Sequence, residues 1–194
     1  MAFAKAPTCR EILRGIMELK GFTKHVSPTM WAAPAKSVAV YGRVDTPLGE
    51  ATLERGPSST RTPEALANGW EEWVVTLAGT AEARVRDLGS PVFNVCRKRL
   101  EAGVEGEFNG SRFSIHTHSS FRRSARIVSF DGLGITFTAR GLTLYAHEGD
   151  TCIARGGVGR WTTTTHSAAG IISMCLFEWA GMSHFLQTPF FRML

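Results

Sequence analysis

Between Trp161 and Phe191 the only formally charged residue is Glu178. A stretch this apolar has to be withdrawn from water, so the rest of the chain must supply its cover. From Ser167 to Met182 it contains good helix formers, no proline and no period-two alternation. On a helical wheel Ile171, Met174, Cys175 and Met182 fall on different sides from Leu176, Trp179 and Ala180. Ser167 is placed to cap the first turn, and Pro189 follows the stop. The pattern predicts a helix over about 166–186. A helix that is apolar all round belongs in a core or in a membrane. Its length approaches a bilayer span of about 20 residues. Glu178 sits in its middle, however, where a carboxylate costs at least ~2.5 kcal/mol at the bilayer centre. His184, Ser173, Ser183 and two glycines weaken the span further. A buried core helix is the favoured reading, with membrane insertion as its alternative.

The chain before this run is short-period and punctuated. Ser37–Val44 and Gly49–Arg55 read as strands. Ten more follow at Trp73–Ala78, Ala81–Leu88, Val92–Arg97, Val104–Phe108, Arg112–His118, Arg122–Phe130, Gly134–Ala139, Leu142–His147, Thr151–Ala154 and Gly159–Thr165. Turn residues separate them. Asn109-Gly110 and Asp131-Gly132 are the firmest, because a type I′ hairpin turn needs positive φ at both central residues. Regular spacing without intervening helices argues for an antiparallel sandwich or barrel rather than an α/β fold. Residues 56–69, rich in Pro, Ser and Thr, read as the most mobile loop, with one helical turn at Thr62–Ala67.

At the N-terminus Thr8 and Glu11 form a capping-box pattern. Ile12, Ile16 and Leu19 then share one face, with Leu13 and Met17 widening it. This predicts a short amphipathic helix over 7–20, packed on the barrel or closing one end, with a membrane-surface or partner helix as the other reading. The chain divides near residue 36, into an N-terminal helix and connection (1–35) and a β-barrel domain (36–194).

About eight strands make a barrel that side chains just fill, and a dozen leave room for something more. The C-terminal helix is the candidate filler. The expected fold is therefore mainly β (α+β): an antiparallel closed barrel of about twelve strands around a central hydrophobic C-terminal helix. That order of elements over roughly residues 36–187, with Phe130-Asp131-Gly132-Leu133-Gly134 and Gly156-Gly157-Val158-Gly159-Arg160-Trp161 ahead of the helix, resembles tubby-like proteins, LURP-one-related proteins and phospholipid scramblases. The resemblance implies a twelve-stranded barrel around a central helix, and a role in binding phosphoinositides or other membrane lipids. It assigns no residue a role.

Net charge is +5 with pI near 9.3, a mild bias toward anionic partners and far from a nucleic-acid-binding balance. Cys9, Cys96, Cys152 and Cys175 form no C-x-x-C pair, which argues against zinc-ribbon and thioredoxin-type sites. Scattered cysteines and no secretory leader pattern suggest a reducing, cytoplasmic setting, peripheral to a membrane if lipid is the ligand.

Two constellations carry the chemical hypotheses. His116-Thr117-His118 puts both rings on one strand face, as in some metal-dependent hydrolases. Arg112 and Ser114 share that face, while Phe113, Ile115 and Thr117 share the other, so alternation sends the histidines to solvent. Arg112, Arg122, Arg123, Arg126 and Arg140 form the second set. Guanidinium forks suit phosphate bidentately, and a solvated barrel face is the plainer alternative, with one arginine turned inward toward Glu178. Arg97, Lys98 and Arg99 read as a charged strand edge. Trp70, Trp73 and Trp161 read as packing residues, since they do not interleave with basic residues as stacking platforms do. Nucleophile-elbow, phosphate-loop, dinucleotide and zincin motifs are all missing from the sequence.

The expectation is a non-enzymatic binding protein without metal or cofactor, recognising an anionic lipid or phosphorylated ligand, or a protein partner, with nucleic acid disfavoured. The alternatives are an assembly protein that docks through its apolar C-terminus, and a metal-assisted hydrolase using His116 and His118.

Overall fold

A computed structural model describes residues 17–20, 37–60, 62–88, 99–157 and 159–187. Twelve strands run β1 (Met17–Lys20), β2 (Ala39–Thr46), β3 (Gly49–Pro57), β4 (Glu71–Leu77), β5 (Ala81–Val85), β6 (Val104–Phe108), β7 (Ser111–His118), β8 (Ile127–Asp131), β9 (Ile135–Arg140), β10 (Thr143–Glu148), β11 (Thr151–Gly157) and β12 (Arg160–Thr163). Each pairs antiparallel with its sequence neighbours, and β1 joins β12, which closes an up-and-down barrel. Among the described residues the β1–β2 seam is a single register pair, Lys20 with Asp45.

Alternating direction sends successive connections to opposite ends. At one end lie the tight hairpins 47–48, 78–80, 109–110, 132–134 and 149–150. Asn109 (φ 47°) and Gly110 (φ 84°) take the positive angles that their turn requires. At the other end lie the connections after β1, β3, β5, β7, β9 and β11, most of them longer. One holds α1 (Pro63–Ala67), capped by Thr62, whose Oγ1 accepts from the Ala65 amide at 3.1 Å.

The core sits inside the ring because inward residues are apolar at period two. On β4 Trp73, Val75 and Leu77 are buried, and on β9 Ile135, Phe137 and Ala139. The outward faces are polar: Arg112, Ser114, His116 and His118 on β7, Thr136, Thr138 and Arg140 on β9. That is the reverse of a membrane-spanning barrel, whose outer band is apolar.

The apolar C-terminal run forms two helices rather than one. These are α2 (Ala168–Trp179) and α3 (Ser183–Gln187), separated at Gly181, whose φ of +66° ends the first. Ser167 caps α2, its hydroxyl accepting from the Gly170 amide at 3.3 Å. Every residue from Gly170 to Trp179 is buried. Phe177 stacks on Phe137 of β9 (4.1 Å) and meets Trp161 of β12 edge-on. Trp179 lies against Gly42 of β2, where a Cβ would come within 2.7 Å of the indole. No helix among the described residues is long and apolar enough to cross a membrane.

Other expectations need correction. Met17–Lys20 is a strand, so the barrel begins ahead of residue 36 and the amphipathic helix does not reach 20; residues 7–16 lie outside the described residues. The strand expected at Val92–Arg97 also lies outside them. Arg122–Phe130 is not one strand. Its first half is a 3-10 turn, Arg123–Ala125, and β8 starts at Ile127.

Buried charges fasten these elements. Arg55 of β3 makes two 2.8 Å hydrogen bonds to the Glu71 carboxylate of β4, which also accepts from the Trp73 indole at 2.8 Å. The guanidinium lies over the Tyr41 ring at 4.2 Å. Glu178 of α2 accepts from the Trp161 indole (2.7 Å) and the Gly159 amide (3.2 Å). Burial pushes its carboxyl above the ordinary value of 4.5, and those two bonds pull part of the way back.

Glu71→Ala strands a buried guanidinium and is expected to cost about 3–5 kcal/mol in urea unfolding, whereas Arg55→Met/Glu71→Leu recovers part of that loss, the Trp73 indole staying without its acceptor. A carboxyl raised on folding contributes stability below its unfolded value, near 4.5, and loses it as pH rises through the folded value. The stability advantage of wild type over Glu178→Gln is therefore expected to be largest at acid pH and to shrink as pH rises, by at most ~1.4 kcal/mol per unit. Paired melts across an acid-to-neutral pH series check this, a range in which the Cys175 thiol, raised by burial and by the Glu178 charge, stays protonated in both proteins.

Candidate functional site: an arginine-bearing barrel end

From Ser119 to Arg160 the acidic residues are Asp131, Glu148 and Asp150, and the arginines are 122, 123, 126, 140, 155 and 160. The up-and-down connectivity sorts these completely. All three carboxylates fall at the hairpin end, Asp131 closing β8, Glu148 closing β10 and Asp150 in the next turn. All six arginines fall toward the opposite end: in the β7–β8 connection, at the end of β9, near the end of β11 and at the start of β12. Five of them, Arg122, Arg123, Arg140, Arg155 and Arg160, are exposed.

Arg155 pairs in register with Tyr145, and Arg140 lies 5.9 Å from the same ring. The outward threonines 138 and 162 flank that row, Thr138 opposite Tyr145 and Thr162 opposite Arg155. Guanidinium forks beside hydroxyl donors can take up phosphate oxygens by charge-assisted hydrogen bonds. His147, next along β10, has its pKa lowered by burial and, secondarily, by the Arg140 charge, so the ring adds no cation there at neutral pH.

Of the five arginines expected to act together, three meet this description: Arg122, Arg123 and Arg140. Arg112 does not. It sits opposite Glu107 across the 109–110 hairpin, at the other end. It lines a cleft of about 430 Å³ that runs from there to Arg86 and Glu105 beside the β5–β6 connection, with Gly106 and Glu107 between, a charge-balanced set rather than an anion site. Arg126 is wholly buried. Its Nε donates to the Ser120 carbonyl (2.8 Å) and its Nη1 to the Phe185 carbonyl (3.2 Å), tying the β7–β8 connection to α3. Glu178 is held by Trp161 and Gly159, not by an arginine.

His116 and His118 point outward, as alternation requires. His116 Nε2 lies 3.1 Å from Ser114 Oγ and 4.0 Å from Asp131 Oδ2. Both neighbours address the same ring nitrogen, so the three cannot relay a proton as a nucleophilic triad does, which uses both nitrogens. Among the described residues no group of three or more potential ligands could hold a metal ion. The three tryptophans pack: Arg99 lies 4.2 Å over Trp70, and Trp73 and Trp161 donate to buried carboxylates. The 56–69 loop is held by Ser58 and Thr60, whose hydroxyls donate to the Asp87 carboxylate.

Arg155 and Arg160 escaped the sequence reading, as did Phe121 and Leu142, the two most exposed large apolar side chains described (79% and 81%). The signal was present in the strand order, since both arginines flank the Gly156–Gly159 turn. No protein-family model, curated protein or solved structure matches this chain.

Arg126→Ala is expected to lower stability by roughly 2–4 kcal/mol, since it vacates a buried site and leaves two carbonyls without their donor. Arg122→Ala and Arg123→Ala are expected to stay within about 0.5 kcal/mol of wild type, as exposed substitutions do. Chemical denaturation of the three variants checks both.

Proposed function

We propose that this protein is a non-enzymatic binding module whose arginine-bearing end takes an anionic, phosphate-bearing ligand, either a lipid headgroup or a phosphorylated molecule. The observation that carries this reading is the segregation of charge between residues 119 and 160, with five exposed arginines at one end and every carboxylate at the other. Like charges brought together on a rigid frame raise the local positive potential and attract anions. On this reading α2 is the barrel's axial filler. Its burial on all sides and its contacts with β4 and β9, five strands apart around the ring, support that placement. A twelve-stranded barrel with a buried C-terminal helix also keeps the resemblance to tubby-like and scramblase-type proteins in play as part of the proposal. The hydrolase alternative draws no support from His116, whose neighbours crowd one nitrogen.

Sedimentation with vesicles tests the proposal. Binding is expected to phosphatidylcholine vesicles containing phosphatidylserine and not to phosphatidylcholine alone, with loss at high salt. Replacing Arg122, Arg123, Arg140, Arg155 or Arg160 by Ala is expected to weaken binding by about 1 kcal/mol each, roughly fivefold. Arg112→Ala is expected to leave it unchanged. Competition by soluble inositol hexakisphosphate tells a free phosphorylated ligand from a headgroup. Equal binding to both vesicle types, or an Arg112→Ala effect as large as the others, refutes the assignment.

A further inference from the structure

The exposed large apolar side chains among the described residues are Val38, Val40, Leu66, Phe121, Ile127 and Leu142. All six lie toward the end that carries the exposed arginines. Val38 and Val40 stand at the start of β2, Leu66 on α1 within the β3–β4 connection, Phe121 and Ile127 around the β7–β8 connection, and Leu142 in the β9–β10 turn. None lies in the hairpins of the opposite end. Scattered exposed hydrophobics are ordinary, but confinement to one end of a barrel marks an interaction surface. Phe121 directly precedes Arg122 and Arg123, and Leu142 follows Arg140 by two residues. Each apolar tip is thus flanked by guanidinium groups that can stay at headgroup level while the tip goes deeper.

The geometry points to a bilayer surface as the occupant, with the barrel docked end-on and Phe121 and Leu142 entering the boundary between headgroups and acyl chains. This inference rests on the anionic-ligand reading above and adds the ligand's physical form and the barrel's orientation. A soluble phosphorylated ligand has no use for apolar tips. An anionic membrane interface offers both negative charge and apolar depth, and interfacial binding draws on both together. The tips are positioned by rigid elements. Arg126 anchors the Phe121 segment through Ser120 and Phe185, and Gln187 Nε2 donates to the Leu142 carbonyl at 3.0 Å. The carboxylates of the hairpin end then face away from the anionic surface, while Glu64 of α1 and Glu101, which accepts from Ser119 Oγ, stay at the docking end.

An environment-sensitive label reads this directly. Phe121→Cys, Leu142→Cys and, at the hairpin end, Asp150→Cys are labelled with nitrobenzoxadiazole, with unsubstituted protein carried through the same labelling as background. All three positions are exposed, so folding tolerates the changes. On phosphatidylserine-containing vesicles a blue shift and a several-fold rise in emission are expected at 121 and 142 and not at 150, and inositol hexakisphosphate is expected to produce neither. Phe121→Ser/Leu142→Ser is expected to bind these vesicles at least tenfold more weakly than wild type. If vesicles sediment the protein but the labels stay unshifted, or 150 shifts equally, end-on docking is wrong while the arginine reading stands. Wild-type vesicle binding by the double serine variant overturns it too, and leaves the apolar tips to a protein partner. No sedimentation on any vesicle overturns end-on docking and the headgroup form of the arginine reading, and leaves a soluble phosphorylated ligand for those arginines.

Discussion

Every strand of the ring has an antiparallel neighbour on each side, and the rest of the molecule depends on that constraint. Antiparallel neighbours can be joined by two-residue hairpins, so consecutive strands pair and the chain simply advances around the barrel. Alternating direction then divides all connections between two ends. Once one end is closed by tight turns, the longer connections must gather at the other. A residue's place along its strand thereby fixes the end it faces. Asp131 and Arg140 lie nine positions apart in sequence, yet one strand separates them by the height of the barrel.

Four buried charged groups hold the end with the longer connections in shape. Arg55 and Glu71 bond β3 to β4 beside the loop bearing α1. Arg126 links the β7–β8 connection to α3, and Glu178 links α2 to the turn before β12. Each would be costly in isolation, and the cost is offset only where hydrogen bonds satisfy the charge. The hairpin end needs no such devices, because tight turns satisfy their own backbone groups. Polar fastening is thus concentrated where the backbone alone specifies least, which is also where the exposed arginines stand.

This division explains what could be read in the sequence. Asn109, Gly110, Gly132 and Gly149 announced hairpins because each takes a positive φ that few residue types adopt. The histidines of β7 were placed outward by alternation alone. Met17–Lys20 misled because four residues cannot separate a 3.6-residue period from a two-residue one, and the preceding Ile12 and Ile16 suggested the former. Its pairing with β12 is a contact across most of the chain. Arg126 misled because it was grouped with Arg122, whereas it shares the parity of the buried Val128 and Phe130, and the 3-10 turn at Arg123–Ala125 breaks that face off from Arg122. Arg155 and Arg160 needed the topology, since their significance lies in the end they share with Arg122, not in any local motif.

The separation of charge has an energetic consequence within the molecule. Strands of seven or eight residues such as β4 and β7 span roughly 23–26 Å at ~3.3 Å per residue. Even when tilted they hold the two ends about two Debye lengths apart at physiological salt, where that length is ~8 Å. Asp131, Glu148 and Asp150 therefore do little to neutralise Arg122, Arg123, Arg140, Arg155 and Arg160. Had one carboxylate fallen on the neighbouring strand end, a cross-strand pair would have relieved the repulsion locally, as Glu72 does for Arg84 at 2.8 Å on β4 and β5. At that end the β7–β12 arc supplies no carboxylate of its own, and Glu101 of the β5–β6 connection meets it by accepting from Ser119 Oγ at 2.7 Å. The rigid ring keeps these guanidinium groups apart from one another and from the hairpin-end carboxylates alike.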